Sequence, residues 1–343
     1  MLLLTLKEIA AEAGVSISTV SRVINKNSTK VASPEVQTRI REIAARNGYI
    51  PNVTAQCLKE GAVKRADARQ KAIACIFART PDSVNNPFFI EIARSLERTA
   101  YRHNFVVKHS FTALDVQSPS ILQSLSEEQL EGAVILGRCN NDLLHYLRKY
   151  FQYVIYTGLN EFDSKYDQVV CDGYAVSIAV MKYLYSLGHR NIAYIGETEN
   201  EVRYNGYLDA LKQLGLPFRK EYIVNVLQTA EEGYNGVNRL LEKVHDATAI
   251  FCADDSTAIG ALRALHDHHI SVPNDVSVIS INGNETTQFL TPPLTTVQIP
   301  AREMGDWTAK VLIDRMQGGH DLPIRIEVPF KLLERQSCAP LKK

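Results

Sequence analysis

Between residues 72 and 281 the chain alternates eight short apolar runs with amphipathic stretches, and no other feature limits its possible folds so strongly. The runs are AIACIFA (72–78), NFVVKH (104–109), GAVILG (132–137), YVIYTG (153–158), QVVCD (168–172), NIAYIG (191–196), ATAIFCA (247–253) and VSVISI (276–281). Each is short and nearly unbroken in its apolar character, which suits a parallel strand covered on both faces. Segments 87–102, 174–187, 205–215 and 256–268 lie between them with helical spacing. Repeated strand–helix units build doubly wound sheets that hold ligands at the carboxyl ends of their strands. A chain of 343 residues exceeds one ordinary core. The expectation is therefore an α/β body of two doubly wound parallel-sheet lobes with a cleft between them.

The front of the chain obeys a different period. Thr5-Leu-Lys-Glu8 has the form of a capping box, and Leu6, Ile9, Ala10 and Ala13 mark an apolar helical stripe. Gly14 supplies a turn, and Ser16 can cap a second helix with Val20, Val23 and Ile24 turned inward. Ser33-Pro34 opens a third helix with Val36, Ile40, Ile43 and Ala44 on its buried face, and Gly48 ends it. Helix, glycine turn, helix and supporting helix make an all-α helix-turn-helix head over residues 1–50. Ser16, Ser18, Thr19 and Ser21 are poor helix formers. They make sense where a helix must enter a major groove closely and bond phosphates, with Arg22 long enough to reach a base edge. A plain surface helix would carry the same residues. Charge favours the groove: residues 1–65 hold ten Lys/Arg against five acids, while the whole chain is neutral. Pro51–Leu58 could form a helix too short to persist alone in water, followed by the polar run Lys59–Lys71. Segment 51–71 thus reads as a hinge helix and linker whose folding depends on DNA.

TLKEIAAEAGVSISTVSRVIN, followed by GYIPNVTAQCL, resembles the DNA-binding head of the lactose/galactose repressor (LacI/GalR) family. The resemblance implies that Ile17, Ser18 and Arg22 face bases, and that Ser16, Thr19, Ser21, Asn25 and Tyr49 hold phosphates, with Asn52 also on the DNA side. Ile17 stays open, since its spacing from Val20 and Ile24 allows a core position too. The hinge helix of the family pairs with its twin and wedges the minor groove, which falls on Ala55 and Leu58 here.

LGHRNIAYIG, FCADDSTAIGALRAL and PPLTTVQIPAREMG resemble the effector-binding core of the same family, which is similar to periplasmic sugar-binding proteins. By that similarity the body is 72–343, with lobe one about 72–167 plus 299–326 and lobe two about 168–298 plus 327–340. Ligand groups are then expected at strand ends. Arg203 falls at the family's usual sugar-hydroxyl contact, though a surface salt bridge is its plainer role. Asp254 and Asn282 follow strands directly, and Asp254-Asp255 also suits a helix cap. Phe88 and Phe89 could wall a sugar's apolar face, and Arg138 ends a strand at the same mouth. The Ser280-x-Asn282 pattern, with Gly137-Arg138, looks closer to the evolved-β-galactosidase repressor subgroup, which implies galactose or a β-galactoside. Overall the resemblance implies a homodimeric repressor of a sugar-utilisation operon, binding a pseudo-palindromic double-stranded operator under control of a small sugar.

Other classes find little support. No GxSxG, HExxH, Walker or GxGxxG motif is present, so no enzyme and no cofactor is expected. His266-Asp-His-His269 could suggest a metal, but histidines at a helix end also suit the helix dipole. Cysteines 57, 75, 139, 171, 252 and 338 are scattered and sit mostly in apolar runs, which argues against disulfides and zinc. No apolar segment approaches the length of a membrane span, and no secretion signal is evident, so a cytoplasmic protein is expected.

Overall fold

The computed structural model describes residues 6–25, 32–46, 71–78, 86–112, 130–139, 143–144, 147, 151–160, 162 and 164–341. The expected Thr5 cap, Gly48, Tyr49, Asn52, Ala55, Leu58 and most of the 51–71 hinge lie outside these residues. The chain divides into two compact units, residues 1–69 and 70–343.

In the first unit, α1 (Leu6–Ala13), α2 (Ile17–Asn25) and α3 (Pro34–Arg46) enclose a small core. Ile9, Ala10, Ala13, Val20, Val23, Ile40 and Ile43 are buried, and Val36 and Ala44 pack against them. Gly14 makes the turn at φ 69°, where a Cβ is disfavoured. Ser16 caps α2 by accepting from the Thr19 amide at 3.2 Å. The side chain of Ile24 lies outside the described residues.

The second unit contains two six-stranded sheets. In the first, β1 (Lys71–Phe77), β2 (Phe105–Thr112), β3 (Leu130–Leu136), β4 (Tyr153–Gly158) and β5 (Asp167–Val170) are joined by a late strand near residue 325, in the order late-β5-β4-β3-β1-β2. Helix α4 (Pro87–Arg102) covers it. The chain then crosses to α5 (Gly173–Ser186), β6 (Ile192–Ile195), α6 (Val202–Gln213), β7 (Ile223–Val224), α7 (Ala230–Leu241), β8 (Ala249–Cys252), α8 (Asp255–Asp267), β9 (Ser277–Asn282) and β10 (Thr295–Gln298). It returns to the first sheet for α9 (Ala301–Met316) and the edge strand β11 (Arg325–Glu327), and ends in the second with β12 (Lys331–Leu333). The second sheet runs β12-β10-β9-β8-β6-β7 and is parallel except for the β10–β12 pair.

Two boundaries differ from expectation. β5 pairs with β4 and β11 in the first sheet, so lobe one extends through Val170 and not only to residue 167. α6 begins three residues before the expected 205, because Glu201 caps it by accepting from the Arg203 amide at 3.2 Å. Glutamate is an uncommon cap, and that start was hidden. α7 was missed altogether. It packs backbone to backbone on α8, where a Cβ on Gly260 would stand 1.8 Å from the Ala230 carbonyl oxygen. Only glycine permits that approach.

Candidate functional site

Two surfaces carry the residues singled out above. On the head, Ser16, Ile17, Ser18 and Arg22 are exposed along α2, with Thr19 half-buried. Ile17 is 47% exposed, so it takes no part in the core and its position suits a contact outward. The Ser16 hydroxyl lies 2.8 Å from that of Ser18 and 2.9 Å from that of Thr19. This chain of hydroxyls fixes the first turn, leaving a small polar ridge beside Arg22, the one charged side chain of α2. The side chains of Ser21 and Asn25 lie outside the described residues.

In the body, Phe88, Phe89, Arg138, Arg203 and Asn282 converge from both sheets on one cavity between the lobes. Phe88 and Phe89 stand at the start of α4, which Asn86 caps by accepting from the Phe88 amide. Their rings meet edge to face, with centroids 5.2 Å apart. Asn282 ends β9 at φ 120°, outside ordinary backbone space for a residue with a side chain. Its Oδ1 is buried and accepts no hydrogen bond from the protein, although it lines the cavity. A buried orphan acceptor beside a strained backbone is the sort of feature a binding site retains.

Arg203 is buried, and each of its three guanidinium nitrogens bonds within the protein. Its Nε and Nη2 fork onto Glu201 at 2.7 and 2.8 Å, and Nη1 donates to the Ala253 carbonyl at 2.8 Å. Burial disfavours its charge, but the Glu201 carboxylate more than offsets this and holds the proton more firmly than usual. Its salt bridge is thus internal, not on the surface. Arg138 does not stand clear for a ligand either. It reaches across to the other lobe, donating to Glu197 Oε1 at 2.8 Å and to the Glu199 carbonyl at 2.6 Å. Asn160 grips the same loop through the Asn200 carbonyl at 3.1 Å.

Asp254 does not line the cavity. It is a fully buried cap, accepting from the amide and hydroxyl of Thr257 at 2.8 and 2.7 Å. Its second oxygen accepts from Asn86 Nδ2 of the facing lobe at 3.2 Å, which makes it a closing contact. Beside it, Asp255 is also buried. It accepts from the Ser280 and Thr296 hydroxyls at 2.5 and 2.7 Å and from the Asn284 amide at 2.6 Å. Burial pushes its carboxyl up to about 7, against three hydrogen bonds that hold it down. Sequence reading missed Glu201, Asn160 and Gln228 as lining residues. Glu201 had one available signal, an acid two positions before the arginine that the family resemblance marks.

The cavity measures only about 20 Å³, room for roughly one water. Arg138, Asn160 and Asn86 hold the lobes shut over it. A larger guest requires those three bridges to part. Among the described residues no group of His, Cys, Asp and Glu could hold a metal ion. His268 instead pairs with Asn238 at 2.8 Å. No helix among them is long and apolar enough to cross a membrane.

Residues 5–52 match the family described as bacterial regulatory proteins, lacI family, and residues 181–338 match a periplasmic binding protein-like domain. The chain is 30% identical to the HTH-type transcriptional repressor PurR of Yersinia pestis bv. Antiqua, over 98% of this chain and 97% of that protein. It is similar to the transcriptional regulator CelR in complex with cellobiose, at 25% identity and TM-score 0.71, covering 97% of this chain and 99% of the other. A LacI family transcriptional regulator from Enterococcus faecium with bound ribose is 27% identical at TM-score 0.70, covering 79% of this chain and all of that one.

Proposed function

This chain belongs to the LacI family and is a DNA-binding transcriptional repressor, and from that premise we propose that a small sugar between its lobes sets its affinity for an operator. The observation that carries the proposal is the buried, unmatched Oδ1 of Asn282 facing a cavity walled by Phe88 and Phe89. An aromatic face with a few fixed polar atoms suits a sugar, whose ring is apolar on its faces and rimmed by hydroxyls. Arg203 and Asn282 are the proposed ligand contacts. Arg138 and Asp254 are proposed to report lobe closure. Cellobiose and ribose in two structural neighbours support the ligand class. The Ser280-x-Asn282 pattern makes galactose or a β-galactoside the first to test.

The proposed working form is a homodimer on a pseudo-palindromic site, since one helix reads too few base pairs for specificity. Ser16, Ile17, Ser18, Thr19, Ser21, Arg22, Asn25, Tyr49, Asn52, Ala55 and Leu58 are proposed to contact the DNA. Opening the three inter-lobe bridges to admit sugar, and re-forming contacts around it, biases two arrangements of the body. That bias reaches the operator as a coupling free energy. The test is a thermal-shift screen against galactose, lactose, cellobiose and ribose, followed by operator binding with and without the stabilising sugar. A chain that no sugar stabilises and whose operator affinity none changes would sink the effector reading.

Two variants sharpen it. Arg22→Ala is expected to lose about 1–3 kcal/mol on operator DNA and far less on random DNA, because a bidentate arginine–guanine pair reads sequence. Equal losses in a competition gel-shift would remove Arg22 from base readout. Asn282→Gly relieves a backbone at φ 120° while deleting the orphan acceptor. Its urea midpoint is expected to hold or rise, with sugar affinity falling up to about tenfold in calorimetry. A fall in stability with unchanged affinity would assign Asn282 to the fold alone.

A further inference from the structure

We propose that Glu201 makes this pocket selective for uncharged sugars, by occupying the two arginines that would otherwise take an anionic one; the inference rests on the reading of the inter-lobe cavity as the sugar site. Arg203 from one lobe and Arg138 from the other both line the cavity. Two guanidiniums converging from opposite sides are the usual equipment for holding a carboxylate or phosphate, since each presents a fork of donors. Here the protein supplies the carboxylates itself. Glu201 forks onto Arg203 at 2.7 and 2.8 Å and stands 3.6 Å from Arg138 Nη1, while Glu197 takes Arg138 Nη2 at 2.8 Å. The charges cancel within the wall.

Glu201 is fixed in that role. It is 1% exposed, and it caps α6 through the Arg203 amide, so it cannot swing away without uncapping the helix. An anionic sugar would have to place a second negative charge beside a buried one, among Phe88, Phe89 and Leu159, where little water is left to screen it. A neutral sugar meets no such penalty. It needs only hydroxyls for Asn282 and for what remains of the arginine donors.

The experiment is calorimetric titration of the full chain with three matched pairs: galactose and galacturonate, ribose and ribose 5-phosphate, cellobiose and cellobionate. The neutral member of the pair that binds is expected to bind the wild type at least tenfold more tightly than its anionic partner. Glu201→Gln, which can still cap α6, is expected to narrow or reverse that ratio. Anion binding equal to or tighter than neutral binding in the wild type overturns the proposal, as does an unchanged ratio in the variant. Should Glu201→Gln fail to fold by circular dichroism, the wild-type ratio decides alone. If no member of any pair binds, or if binding is indifferent to Asn282→Gly, the pocket reading itself fails, an outcome separate from a wrong charge preference at a site that does bind.

Discussion

Arg203→Ala is expected to destabilise the body by about 3–5 kcal/mol and to end its response to sugar. The physical cause is what the arginine leaves behind. Glu201 is 1% exposed, and without Arg203 its carboxylate loses its two shortest contacts, at 2.7 and 2.8 Å, while Arg138 stands farther off at 3.6 Å. A buried charge stripped of its main partner costs far more than the pair contributed while intact. The Ala253 carbonyl at the end of β8 loses its donor as well. Urea unfolding of the full chain, followed by tyrosine fluorescence, reads the loss directly. Arg203→Lys keeps a charge but not the planar fork, and should recover only part of it. A loss below about 1 kcal/mol for the alanine variant would mean that water reaches Glu201 in solution.

Asp255→Ala is the second large effect, expected near 3–4 kcal/mol with sugar affinity down more than tenfold. Asp255 gathers Ser280 from β9, the Thr296 hydroxyl from β10 and the Asn284 amide beyond β9. Thr296 also accepts from the Gly283 amide at 3.3 Å, so one carboxylate anchors both sides of the turn that presents Asn282. Removing it leaves buried donors unmatched at about 1–3 kcal/mol for each that cannot turn elsewhere. The hydroxyls can rotate, but the amide cannot. The sign of the pH effect follows from the raised pKa. The folded carboxyl sits at about 7 against an ordinary 3.8, so the folded chain holds this proton more tightly than the unfolded one. That contribution is complete below about pH 4 and fades as pH rises through 7. Wild type minus Asp255→Asn, measured across that range, should show the slope. A flat difference would mean that the carboxylate is ionised throughout.

The sheets were legible because buried parallel strands announce themselves as unbroken apolar runs, and all eight runs form strands. The short edge strands were not. β7, β11 and β12 hold two or three residues each, too few for any period to register. At the cavity, Arg138 and Asn282 were identified by position at strand ends, Phe88 and Phe89 as an aromatic wall, and Arg203 through the family resemblance. Their partners were invisible, because which carboxylate meets which arginine is decided by tertiary placement. Asp254 shows the ambiguity well: a strand-end acid can face a ligand or cap the next helix, and here the Thr257 amide and hydroxyl claim one oxygen. Ile17 went the other way, its exposure removing the core position that spacing alone had left open.

The return of α9 and β11 to the first sheet has a consequence for how this chain is made. Roughly 140 residues separate Gly158, at the end of β4, from Ala301, where α9 begins. A ribosome adding about 5–20 residues per second leaves that apolar face bare for on the order of ten seconds. The second sheet is no better served, for the segment that closes it comes last. The Val278 amide waits for the Ser337 carbonyl, the Leu294 carbonyl for Arg335, and His189 for the carbonyl of Ala339. Neither half can be finished as it emerges, so each nascent copy keeps apolar surface bare until residues 301–339 have left the tunnel. Slower, cooler expression, or more trigger-type chaperone, should therefore raise the soluble yield far more than any change at the cavity or on the head.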